Sequence, residues 1–201
     1  MPPVVAPASL ARLPQLAWLM AHTFSRNRAL AVASWPMSVA TLLPYALRRV
    51  LYRSRDGNGM VIFGRYRPVF DFVLAIALAL LIFAGMVATA VALWVTVGPL
   101  GVLAAALLFV VIGIAPLAMM STAGFTMAVG SETPPGQRWT VMALTQRRGT
   151  RMSALLLARR LLEAVPPGAL VVAVADSPAL ADGYVRLGFE RGAGPRVFRR
   201  C

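Results

Sequence analysis

Between Asp71 and Glu132 the chain carries no charged side chain. Sixty consecutive uncharged positions, Phe72 to Ser131, exceed what one core helix of a soluble domain can use. A run of this length fits two membrane spans, each needing about 20 apolar residues, joined by a short connection. Phe72–Val97 is rich in Ala, Leu, Val and Ile. As a helix it is about 39 Å long at 1.5 Å per residue, enough to cross a hydrocarbon core of about 30 Å with tilt. Gly98-Pro99 breaks it, and Leu100–Met120 forms the second segment. Helices joined this closely run antiparallel, so residues 72–120 are expected to form a transmembrane hairpin.

The flanks orient the hairpin. Nine Arg and two Asp precede it, eleven Arg and five acids follow it, and the Gly98-Pro99 turn carries no charge. Cationic flanks stay on the cytoplasmic side, so both termini are expected there, in a multi-pass protein of the cell membrane. All twenty basic residues are Arg and the net charge is +13. With 59% hydrophobic and only 13% charged residues, a purely soluble domain is excluded and anionic lipid is the first partner for this charge. Nucleic acid is disfavoured, because the basic residues are not interleaved with aromatics as on a stacking platform. One cysteine, Cys201, and one histidine, His22, exclude a disulfide framework and a Cys/His zinc site within one chain, and no metal cofactor is expected.

Residues 1–71 read as an Arg-rich helical segment, cytoplasmic or interfacial. Ala29–Leu47 is uncharged but contains Pro36 and Pro44. An interfacial or re-entrant helix is favoured there, with a third span as the alternative. The N-terminus has no early positive charge and Arg12 interrupts its apolar stretch, so no cleaved signal peptide is expected. Asp56-Gly57-Asn58-Gly59 marks a turn, after which Met60–Arg67 reads as a strand.

From Ser131 the pattern changes to that of a small α/β domain, residues 131–201. Glu132 to Gln137 is a linker and Trp139–Leu144 a strand; Met152–Val165 is apolar at helical spacing and Pro166-Pro167-Gly168 stops it. Leu170–Ala175 is continuously apolar, as in a strand buried on both faces. Ser177-Pro178 starts a helix over Ala179–Leu187, Gly188 ends it, and Arg196–Arg200 is the last strand. Between the first strand and helix lies Gln146-Arg147-Arg148-Gly149-Thr150-Arg151. A strand that enters a helix through a Gly turn presents unpaired N–H groups at the positive end of the helix dipole, which suits a diphosphate. Arg147, Arg148 and Arg151 add charge there. The competing reading is a basic segment lying against anionic lipid.

This order of motifs resembles the C-terminal half of the GNAT acetyltransferase superfamily. Gln146-Arg147-Arg148-Gly149 matches the family's acyl-CoA loop, Gln/Arg-x-x-Gly-x-Gly/Ala, although Arg151 departs from its small third position. Tyr184-Val185-Arg186-Leu187-Gly188-Phe189 matches its second signature, Tyr-x-x-x-Gly-Phe. The resemblance covers about Arg138–Arg200. It implies a mixed sheet with flanking helices, acetyl-CoA or another acyl-CoA as co-substrate, and N-acyl transfer to an amine at the cytoplasmic membrane face. It also implies that Val141, Met142, Ala143, Gln146, Arg147, Arg148, Gly149, Thr150, Arg151, Met152 and Ser153 bind the cofactor and that Tyr184 protonates the departing thiolate. The other reading of Tyr184 is a phenol packed on the sheet.

Two departures accompany the resemblance. The family's N-terminal half, with four more strands and two helices that wall the acceptor pocket, has no sequence counterpart; Met60–Arg67 and Ala123–Gly130 are candidates for missing strands on either side of the hairpin. Trp139–Leu144 also lacks the Glu that many relatives use to deprotonate the amine. The alternative function is therefore a non-catalytic membrane protein whose GNAT-like half binds acyl-CoA or docks a partner.

Overall fold

A computed structural model describes residues 6–25, 27–117, 137–147, 149–150, 153–175, 178–192, 194 and 196–201. After a 3-10 turn at Leu10–Arg12 come helices α1 (Leu13–Phe24) and α2 (Arg28–Leu47), strands β1 (Leu51–Arg53) and β2 (Gly59–Arg65), and helices α3 (Pro68–Val97) and α4 (Pro99–Leu117). Then follow β3 (Arg138–Gln146), α5 (Ser153–Leu162), β4 (Leu170–Val174), α6 (Pro178–Arg186), β5 (Glu190–Arg191) and β6 (Arg196–Arg200).

The six strands form one mixed sheet in the order β1-β2-β3-β4-β6-β5. Only β3 and β4 are parallel; the other neighbours are antiparallel. Outside β1, Pro7 bridges Tyr52 and the Ala8 N–H donates to the Leu51 carbonyl at 2.8 Å. The sheet thus takes strands from both sides of the uncharged stretch. The divide expected between residues 1–71 and 131–201 is not a boundary in the sheet, because β2 and β3 pair along their length. Pleating sends successive β2 side chains to opposite faces, and each face is apolar.

Met60 and Ile62 are buried with Leu13, Leu16 and Ala17 of α1, and Leu42 and Ala46 of α2. On the other side Val61 and Phe63 join Val141, Val171 and Ala173 beneath Leu157, Leu161 and Leu162 of α5 and Tyr184 of α6. The result is helix, sheet, helix, a three-layer α/β arrangement. α1 and the C-terminal part of α2 therefore cover one face of the sheet at β1 and β2. α1 begins with Pro14 in its first turn and buries Leu13, Leu16, Ala17 and Ala21 at helical spacing. The Asn27 side chain caps α2, accepting from the Leu30 N–H at 2.8 Å.

α2 runs unbroken through Pro36 and Pro44, packing against α1 and α4. Its hydroxyls turn inward. Ser34, Ser38 and Thr41 donate to the carbonyls of Leu30, Ser34 and Met37 at 2.7, 3.0 and 2.9 Å, so they present little polarity outside. The sequence reading of an interfacial or re-entrant segment did not include this packing, because Leu42 and Ala46 carry no local signal that sets them apart in an uncharged run.

The hairpin leaves the sheet after β2. α3 starts at Pro68, four residues before the expected Phe72, because Pro fits the first helical turn. Gly98, at φ +82°, makes the turn into α4. Large apolar side chains stand exposed along both helices, including Leu81, Phe83, Val95, Leu100 and Leu103. Thr89 and Thr96 donate to the Gly85 and Ala92 carbonyls at 2.8 Å, so these hydroxyls need no solvent. By length and composition, Arg28–Leu47 and Ile76–Val97 are long and apolar enough to cross a membrane, and Pro99–Val110 is a shorter apolar helix. Residues 118–120 and Ala123–Gly130, the second candidate strand, lie outside the described residues. At the root of the hairpin the Tyr66 N–H donates to the Arg138 carbonyl at 2.9 Å.

The remaining elements follow the sequence with small shifts. β2 ends at Arg65, not Arg67, because the chain bends into α3. α5 stops at Leu162, short of Val165, although Val165 stays buried in the core.

One irregularity was not expected. Opposite Met60–Ile62, strand β3 holds an extra residue, since Ile62 pairs with Met142 and Met60 with Thr145. Ala143 in this bulge has φ +48°, a region costly for a residue with a Cβ. The bulge lets both Met142 and Ala143 pack toward the α1–α2 layer. Ala143→Gly is expected to stabilise the protein by about 0.5–1 kcal/mol, and Ala143→Val to cost about 2 kcal/mol. Thermal unfolding of the detergent-solubilised variants reads both.

Candidate functional site

The central feature is where β3 and β4 part. Their parallel pairing runs from Arg138↔Leu170 to Val141↔Ala173 and ends there, while β3 continues to Gln146 against β2 alone. Met142 to Gln146 therefore have no ladder partner on the β4 side among the described residues. The bulge at Ala143 lies just past this fork. A strand edge with free backbone groups inside a sheet can accept an extended ligand through main-chain hydrogen bonds.

Val141 is buried at the fork, and Met142 and Ala143 follow it. Thr145, fully buried, donates its hydroxyl to the Ala143 carbonyl at 3.0 Å and so braces the bulge. Sequence reasoning passed over Thr145, which looked like any strand threonine.

The predicted phosphate loop forms a tight turn at the open end of β3. Gly149 has φ +82°, and the Thr150 N–H returns to the Arg147 carbonyl at 3.2 Å. The Thr150 hydroxyl donates to that same carbonyl at 2.6 Å. Gln146 closes the turn: its Nε2 donates to the Thr150 carbonyl at 3.3 Å, and its own carbonyl accepts from the Thr23 hydroxyl of α1 at 3.2 Å. The Arg147 side chain is exposed. Ser153 is the first residue of α5. Arg148, Arg151 and Met152 lie outside the described residues.

Two of the backbone donors expected in this loop are already engaged. The Thr150 amide is bonded within the turn, and the Arg147 amide donates to the Asn58 carbonyl at 2.7 Å. First-turn N–H groups of a helix lack intrahelical partners, so those of α5 are the other main-chain donors suited to an anion.

The β1–β2 turn, absent from the sequence-based site, abuts this loop. Asp56 Oδ2 accepts from the Ser153 hydroxyl at 2.7 Å and from Asn58 Nδ2 at 3.2 Å. The Ser54 hydroxyl donates to Oδ1. These hydrogen bonds hold the Asp56 carboxyl well below the usual carboxylate range, Ser153 contributing most and Ser54 next. Gly59 brings the turn close to α5: a Cβ there would lie 2.7 Å from the Ala154 nitrogen. The only signal in the sequence was Asp-Gly-Asn-Gly, which marks a turn and not what it touches.

Tyr184 lies on α6, which packs against β5 and β6. It is 5% exposed and lies in the buried cluster that includes Val141 and Ala173, the last paired residues at the fork. Its ring is 5.2 Å from that of Phe189, centroid to centroid. Gly188, at φ +83°, ends α6 and turns the chain so that the Phe189 N–H reaches the Tyr184 carbonyl at 3.1 Å. The Tyr-x-x-x-Gly-Phe segment therefore has a structural role of its own, locking its two aromatic rings together.

The structure thus brings the fork, the turn from Gln146 to Thr150 and the start of α5 to one end of β3, while Tyr184 is buried on the α5–α6 face of the sheet in the cluster that also holds Val141 and Ala173. No group of three or more His, Cys, Asp or Glu side chains that could hold a metal ion occurs among the described residues. No protein-family model matches this chain, and comparison with curated proteins returns no match.

Proposed function

We propose that this chain is a membrane-anchored, acyl-CoA-dependent N-acyltransferase of GNAT type, with its sheet domain at the cytoplasmic face. The observation that carries the reading is the parallel β3–β4 pair that parts after Val141↔Ala173, beside a Gly149 turn that leads into α5. The pantetheine arm of acyl-CoA lies along the open edge of β3, its diphosphate near the start of α5 and the exposed Arg147. Two helices, α1 and α2, and two strands, β1 and β2, precede the hairpin where the family's N-terminal half has two helices and four strands, which supports the reading in part.

In the proposed reaction an amine nitrogen attacks the thioester carbonyl and forms the C–N bond. Main-chain N–H groups of Val141–Leu144 hold the oxyanion, the C–S bond breaks, and Tyr184 protonates the thiolate. The proton lost by the amine passes to water, as β3 carries no carboxylate, and a proton from water restores the Tyr184 phenol, so the turnover balances. Transfer of acetyl from acetyl-CoA to a panel of amines, by purified full-length protein in detergent, tests this directly. Thioester binding without transfer would favour the second reading, an acyl-CoA-binding protein without catalysis. That reading is supported by the engaged Arg147 and Thr150 amides.

The membrane assignment rests on the exposed apolar hairpin and its Arg-rich flanks. Both termini are expected inside the cell, and the single thiol at Cys201 offers the test. A membrane-impermeant maleimide should leave Cys201 unlabelled in intact cells and label it after permeabilisation. Labelling of intact cells would reverse the orientation.

A further inference from the structure

We infer that the β1–β2 turn is a built-in competitor for the phosphate end of the acyl-CoA site, with Asp56 as the resident anion that the cofactor must displace. The inference rests on the proposed acyl-CoA reading and adds a residue and a mode of control to it. The turn touches both sides of the loop. Its Asn58 carbonyl accepts the Arg147 amide at 2.7 Å, and its Asp56 carboxylate accepts the Ser153 hydroxyl at 2.7 Å, where α5 begins.

Each contact uses a donor suited to a phosphate oxygen. A carboxylate at a helix start also takes the place that the dipole offers to an anion. Asp56 is held there from behind by Ser54 and Asn58, and Gly59 seats the turn against the backbone of Ser153 and Ala154. The contact is therefore built by four residues of the turn. Asp56 is nonetheless exposed, so its carboxylate can swing into water once a stronger anion takes Ser153. Among the described residues, Arg147 is the exposed cation of the loop itself; it attracts the diphosphate while Asp56 opposes it.

The test uses Asp56→Asn, which keeps the side-chain shape and removes the charge. Calorimetry on the full-length protein in detergent compares acetyl-CoA with acetyl-pantetheine, which has the same thioester arm and no phosphate. Loss of one negative charge near a diphosphate should tighten acetyl-CoA binding by about 5- to 10-fold at low salt, and by less at high salt, through reduced repulsion. Acetyl-pantetheine affinity should stay the same in both proteins.

Hydrogen exchange on the wild type gives a second reading that needs no variant. The Gly57 and Gly59 amides, held by the Ser54 carbonyl and hydroxyl, should exchange faster when acetyl-CoA binds, because the turn is released. Equal or weaker acetyl-CoA binding by Asp56→Asn, or slower exchange of those amides, overturns the competitor role while leaving the acyl-CoA site intact. If neither protein binds either thioester, the acyl-CoA reading falls and this inference falls with it.

Discussion

Tyr184→Phe is expected to lower acetyl transfer by roughly 10²–10⁴-fold while leaving acetyl-CoA affinity within about twofold, the pattern of a lost general acid. The substitution keeps the ring, so the packing against Phe189 and the cluster with Val141 and Ala173 survives. A neutral phenol can donate its proton to a thiolate without carrying charge of its own. If the hydroxyl serves packing alone, the variant loses one hydrogen bond, about 1 kcal/mol of stability, and turns over at the wild-type rate. Rate and affinity measured on one preparation separate these cases, because only a role in chemistry moves the first without the second.

Gly149→Val is expected to remove acetyl-CoA binding, a loss of about 100-fold or more. The reason is conformational and not steric: a Cβ at Gly149 meets nothing within 4 Å, but φ is +82°. A β-branched residue is strained there by roughly 1–3 kcal/mol and would reopen the turn, misaligning the donors at the start of α5. Arg147→Ala should weaken binding by only about 3- to 10-fold and flatten its salt dependence, since an exposed Arg contributes screened charge. Calorimetry at two ionic strengths reads both variants. A Gly149→Val protein that binds as tightly as the wild type would remove the loop from the site.

The elements after the hairpin were legible in the sequence because each carries a local signal. Leu170–Val174 is a pure apolar run, Pro166-Pro167-Gly168 stops a helix, and Gly188 ends the next. The two long apolar helices α3 and α4 were legible from the absence of charge. What escaped notice depends on long-range partners. Ala143 reads as an ordinary strand residue, and its bulge appears only from the register against β2. Leu13, Leu16 and Ala17 read as one more apolar patch near an Arg-rich terminus, yet they pack on Leu51, Met60 and Ile62 of the sheet. The Asp56–Ser153 contact joins residues on opposite sides of the hairpin, so no window of local pattern contains both. The candidate site was thus visible as a loop and a tyrosine, and invisible as a fork in the sheet and a turn lying across the loop.

The placement of the hairpin between β2 and β3 has a consequence for how the chain reaches this state. These strands are sheet neighbours, and the Tyr66–Arg138 hydrogen bond fastens the two ends of the excursion together. In a free chain their pairing closes a long loop, and the entropy lost rises with the logarithm of its length. It also waits on synthesis, since β3 emerges only after the whole hairpin. Under the proposed membrane anchoring, a bilayer changes that order of events. With α3 and α4 inserted as an antiparallel pair, the ends of the loop would already lie close together, and β3 would search a short distance instead of a long one. The lipid would then act as a template for the last step of sheet closure, and refolding from denaturant should be faster with vesicles present than in detergent-free buffer.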